Sequence, residues 1–128
     1  MMDAIEQSLL DIEKSMVKLF NKKDINGILN HFSNNFVGFS STKHERLTSL
    51  SQLKKTFLFY LDEGEKVTFR IKNTKAKIYG ELALTTFYWE VEIQKKKKKK
   101  HIDGRASHLY LLVDEEWKIV HEHFSKAH

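Results

Sequence analysis

The stretch WKIVHEHFS, Trp117 to Ser125, sets two histidines two residues apart with a glutamate between them. Alternate residues of a strand project side by side, so His121 and His123 could share a metal ion, pass a proton or hydrogen-bond across a sheet. Zinc, copper or nickel would need a third ligand that the motif does not supply. No metal is therefore expected, and the pair reads as part of a polar network with Arg105, Ser107 and Ser125 on an outer sheet face. A second constellation is better suited to proton transfer. If SHLYLLV and WKIVHEHF form a hairpin turning on the three residues 114 to 116, His108 lies opposite Glu122, Leu109 opposite His121 and Ser107 opposite His123. A carboxylate across a strand orients an imidazole and raises its pKa, which makes His108 and Glu122 the candidate catalytic dyad.

That register puts His108, Tyr110, Val120, Glu122 and Phe124 on one face, with Arg105, Ser107, Leu109, Trp117, Ile119, His121 and His123 on the other. A two-residue turn would slip the pairing by one and carry His108 to the face of the other two histidines. The sequence leaves both registers open.

The elements that must position these residues divide the chain in two. Ile5, Leu9, Ile12, Met16 and Leu19 recur at spacings of four and three, one stripe of a helix that Asp3 and Glu6 would cap. A shorter helix follows Asp24, then a short strand in NNFVGFS. A third helix, capped by Ser49 or Ser51, places Leu50, Leu53, Phe57 and Tyr60 on one face, and Gly64 suits its end. From Val67 onward the period changes to two, and four strands are predicted at about 65 to 79, 81 to 94, 101 to 113 and 117 to 124. Helices before an antiparallel sheet give a single α+β domain over 1–128, with the sheet curled around the first helix.

Composition narrows the chemistry further. The 128 residues contain no cysteine, which excludes disulfides and thiolate nucleophiles and fits a reducing, cytoplasmic setting. No apolar run reaches the roughly 20 residues of a membrane span, so no membrane association is expected. The net charge of +5 comes from one block: without Lys95 to Lys100, 16 basic residues face 17 acidic ones. Nucleic-acid binders spread their lysines over a face and interleave aromatics, so nucleic acid is not the expected partner. The block reads as a solvated, mobile loop between two strands.

The order helix, helix, strand, helix, four strands resembles the cone-shaped nuclear-transport-factor-2-like, or cystatin-like, fold. GRASHLYLLVDEEWKIVHEHFS is similar to the C-terminal signature of SnoaL-like domains and of the association domain of calmodulin-dependent protein kinase II. The resemblance implies a pocket inside the cone and, with it, two classes of function. One is an isomerase, cyclase or hydratase acting on a small organic molecule; the other is a non-catalytic sensing or oligomerisation domain. It also places His108 and Trp89 where the kinase association domain has pocket arginines, so a carboxylate ligand loses its partners here. Phe39, Tyr60, Trp89 and Phe124 are the expected pocket wall, and no cofactor is implied. The fold's ketosteroid isomerases use an aspartate base, whereas the aspartates here are assigned to helices, caps and turns. A homodimer through the outer sheet face is expected from apolar Leu109, Leu111 and Ile119 beside Arg105 and the histidines.

Overall fold

The computed structural model describes residues 3–127. Asp3 caps the first helix, α1 (Ala4–Asn21), by accepting the Ile5 amide at 2.7 Å. The buried stripe of α1 is Leu9, Glu13, Met16 and Phe20. Ile12 and Leu19 are half-buried and Ile5 is exposed, so the core line is rotated slightly from the apolar stripe and includes an acid. Asn21 fastens the end of α1 to the sheet, donating to the Phe69 carbonyl and accepting the Phe69 amide. Asp24 caps α2 (Ile25–Leu29) and Ser49 caps α3 (Leu50–Leu61), each through the side-chain oxygen.

Five strands, β1 (Phe32–Phe39), β2 (Lys66–Tyr79), β3 (Leu82–Lys95), β4 (Lys98–Val113) and β5 (Glu116–Lys126), form one sheet in the order β1-β5-β4-β3-β2. All pairs are antiparallel except β1 with β5. The architecture is the α+β arrangement expected: helices on one face of a mostly antiparallel sheet, with the last strand beside β4. Its inner face and the helices bury one core in which Leu9, Leu47, Leu53, Ala83, Tyr110 and Ile119 are wholly inaccessible.

Three local differences from the sequence reading matter. The β4–β5 turn uses two residues, Asp114 and Glu115, both with positive φ (49° and 67°), as a tight hairpin turn requires. A bulge then restores the register: Tyr110 faces Ile119 and Leu109 faces His121, leaving Val120 as the extra residue. His108 consequently still faces Glu122, but Ile119 turns into the core rather than joining the outer face, and Trp117 packs against that core. Asp103, read as a turn residue, sits within β4 with an exposed side chain. In the lysine block only Lys96 and Lys97 make the turn, while Lys95 and Lys98 pair as the last rung of the β3–β4 ladder.

Candidate functional site

The site grows from one row of the sheet. Thr85, His108, Glu122 and Gly38 lie side by side across β3, β4, β5 and β1. Gly38 is needed there, because a β-carbon at that position would stand 2.5 Å from the Glu122 carbonyl oxygen. Glu13 reaches this row from α1. Its Oε2 accepts hydrogen bonds from Thr85 Oγ1 at 2.6 Å, His108 Nδ1 at 2.7 Å and the Tyr110 hydroxyl at 2.8 Å. The other imidazole nitrogen, Nε2, donates to Glu122 Oε2 at 2.7 Å. None of the five residues in these bonds is more than 3% exposed.

This arrangement sets the ionisation of the cluster. Burial pushes the His108 imidazolium down, but the Glu13 charge and hydrogen bonds to Glu122 and Glu13 outweigh it and raise the pKa to about 10. Burial raises the Glu13 carboxyl, and the His108 charge together with three donated hydrogen bonds holds it below the usual carboxylate range. Tyr110 is pushed well up by burial and by the Glu13 charge. Both ring nitrogens are therefore committed as donors at neutral pH, and His108 has no lone pair with which to abstract a proton.

Two voids of about 40 Å³ each flank Glu122 inside the cone. Phe20, Phe69, Glu122 and Phe124 line both, so these four side chains form the partition between them. The first void extends towards Ser40, Ser41, Thr56, Tyr60 and Trp89; the second reaches Glu13 and His108. The Tyr60 hydroxyl is bonded to Ser41 at 2.8 Å, and burial raises its pKa. Trp89 lies opposite Gly104, where a β-carbon would come within 2.8 Å of the indole, and its Nε1–H donates to the Arg105 carbonyl at 3.2 Å. Trp89 forms aromatic contacts with Phe124 at 5.7 Å and with Tyr60 at 6.4 Å. Each void has room for a few waters or a fragment of similar size, far below the roughly 300–1,000 Å³ of sites for larger ligands.

Of the residues expected at the pocket, Tyr60, Trp89, Phe124, His108 and Glu122 come together. Phe39 does not. It pairs with His123 on the outer side of the sheet, with the two rings 5.5 Å apart and the Arg46 guanidinium 5.9 Å from the centre of the Phe39 ring. Phe32 and Phe36 are the β1 aromatics that turn inward. The outer-face group is likewise dispersed in role: Arg105, Ser107 and His123 border a shallow groove of about 620 Å³, whereas His121 Nδ1 donates to the Val37 carbonyl at 2.8 Å. A cleft of about 750 Å³ lies among the long side chains of Lys95 to Lys100 beside Glu63 and Ile93. Flexible, mutually repelling lysines do not define a shaped site. Among the described residues no group of three histidine or acidic side chains is placed to hold a metal ion, and no helix is long and apolar enough to cross a membrane.

Glu13, Thr85 and Tyr110 are the members of the cluster that the sequence reading missed. Glu13 left a signal: it falls four residues after Leu9 and three before Met16, a charge on the apolar line of α1. Burial of such a group demands a partner in the facing sheet.

The SnoaL-like domain family matches residues 10–128. No curated protein matches the chain. Among solved structures, a nuclear-transport-factor-2-like protein of unknown function from Pseudomonas putida superposes with a TM-score of 0.83 at 19% identity, covering 98% of this chain and 88% of its own. A candidate dehydratase of the same fold family from Streptomyces avermitilis gives 0.83 at 10% identity, covering 98% of each chain. The calcium/calmodulin-dependent protein kinase II hub of S. rosetta gives 0.78 at 15% identity, over 99% of this chain and 100% of the hub. At these identities the likeness is one of fold.

Proposed function

The chain belongs to the SnoaL-like domain family, and on that premise we propose that it is a non-catalytic domain that binds a small organic molecule inside its cone. The observation that carries this reading is Glu122, a buried carboxylate oriented by His108 and bordering both aromatic-lined voids. A few polar groups converging on a concave apolar surface is the usual form of a small-molecule site. His108 positions that carboxylate and serves as neither acid nor base near neutral pH, because both of its nitrogens already hold buried ion-paired hydrogen bonds. Isomerase, cyclase or hydratase chemistry through this histidine is therefore the weaker alternative. Void size restricts the guest to a few heavy atoms.

A thermal-shift screen of fragments on the wild type and on Thr56→Leu tests the proposal. Thr56 is buried, lines the first void, and spends its hydroxyl on the Leu53 carbonyl within α3, so leucine should fill the space while keeping the helix. Guests of the cone should stabilise the wild type and lose that effect in the variant. Equal stabilisation of both proteins would reject the first void as the site; a loss of stabilisation neither there nor in the matching variant of the second void, Met16→Phe, would reject the proposal.

A second reading, self-association, rests on a different surface. Leu84 pairs with Leu109 and Leu82 with Leu111 on the outer sheet face, where Leu82 is 40% and Tyr88 52% exposed. Four adjacent leucines form a patch suited to a second copy of the chain. Ile119, expected to contribute, lies in the core instead.

A further inference from the structure

The interior of the cone carries an unbalanced negative charge. Two hydrogen bonds, each 2.7 Å long, join His108 to Glu13 and Glu122, and each contains one proton. With both protons on the ring, two carboxylates surround one imidazolium; with one proton moved to a carboxyl group, a neutral ring faces one remaining carboxylate. With no further proton on either carboxyl group, the sum is minus one either way. Thr85 and Tyr110 join as neutral hydroxyl donors, and no lysine or arginine is among the buried residues described. A buried net charge is costly unless an opposite charge joins it.

Glu122 offers the place for that opposite charge. Its Oε2 is engaged by His108, while among the described residues its Oε1 accepts no hydrogen bond and, in a residue only 3% exposed, keeps a small accessible surface of its own. The first void is walled by the rings of Phe20, Phe57, Tyr60, Phe69, Trp89 and Phe124, whose faces attract cations. Ser40 and Ser41 add hydroxyl oxygens at its far side.

From this juxtaposition we infer that the ligand class of the cone is a small organic cation, a protonated amine with its ammonium group against Glu122 Oε1 and its carbons on the surrounding rings. The inference rests on the cone being a binding site and adds the sign of the ligand's charge. A carboxylate guest would compound the existing charge, and a neutral alcohol would leave it uncompensated.

The test uses the full chain and three small probes at constant ionic strength: ethylammonium, ethanol and acetate. Each is titrated into isotope-labelled protein while the Trp89 indole N–H and the Glu122 carboxyl carbon are followed by NMR. Ethylammonium should move both resonances and bind at least about tenfold more tightly than the other two, a preference that Glu122→Gln should abolish. Should that variant not fold, the comparison of three probes on the wild type still decides. Ethanol or acetate binding in the cone as tightly as ethylammonium overturns the cation inference and leaves the cone reading standing. Xenon resolves the remaining case through the side-chain methyls of Val91 and Met16, which line the two voids. A response to xenon without one to ethylammonium overturns this inference alone; no response to either rejects the cone as a site, and the inference with it.

Discussion

Glu13 Oε2 on α1 accepts the Nδ1–H of His108 on β4 at 2.7 Å, joining residues 95 positions apart in the chain. With the Thr85 and Tyr110 bonds, one carboxylate oxygen ties the first helix to two central strands. Removing it should be far more damaging than deleting an exposed charge. Glu13→Leu leaves two hydroxyl donors and one imidazolium N–H buried without an acceptor, and a loss of about 3–5 kcal/mol is expected. Glu13→Gln keeps an acceptor and should lose less. Urea unfolding, with the slope unchanged between variants, measures both.

The pH dependence of stability follows from the same cluster. His108 is raised from 6.5 to about 10, so its contribution is fully present below pH 6.5 and is lost as pH climbs through 10. Glu13 is lowered from 4.5, so its contribution is present above that value and is lost on acidification through its depressed folded pKa. Stability should therefore be greatest between the two ordinary values and fall from pH 6.5 to 10, with a limiting slope of about 1.4 kcal/mol per pH unit. Urea midpoints across that range should show the decline in the wild type and a flatter profile in His108→Gln.

Much of this was legible in the sequence because it depends on local periodicity. The change from spacings of three and four to alternation located three helices and four strands, and direct cross-strand pairing brought His108 to Glu122. What escaped was set by geometry that no short window carries. The two-residue turn and the Val120 bulge compensate each other, so the assumption of a three-residue turn yielded the observed His108 pairing while misplacing Ile119 and Trp117. Phe39 followed the outward side of β1, whose parallel register with β5 is fixed by distant packing. Glu13 lay too far from the hairpin in sequence to be associated with it.

The turn itself offers a gain. Glu115 occupies a left-handed conformation, φ 67°, that strains any residue with a β-carbon. Glu115→Gly creates the Asp-Gly pair preferred in such turns and should stabilise the domain by about 0.5–1 kcal/mol, read as a higher urea midpoint.

On the outer face, Leu109→Glu should disrupt self-association without unfolding the chain, because the side chain is only half-buried and points away from the core. Sedimentation should give species heavier than the 15.1 kDa chain for the wild type at micromolar concentration and a monomer for the variant. A wild type that stays monomeric would remove the association reading.

The most direct measurement of the central claim is the location of a bound fragment by intermolecular NOEs in the wild type. Binding inside the cone predicts contacts from the guest to the ring protons of Trp89, Tyr60 and Phe124, which line the void beside Glu122. Contacts confined to Tyr88, Leu82 and Leu111 would put the guest on the outer sheet face and contradict the account.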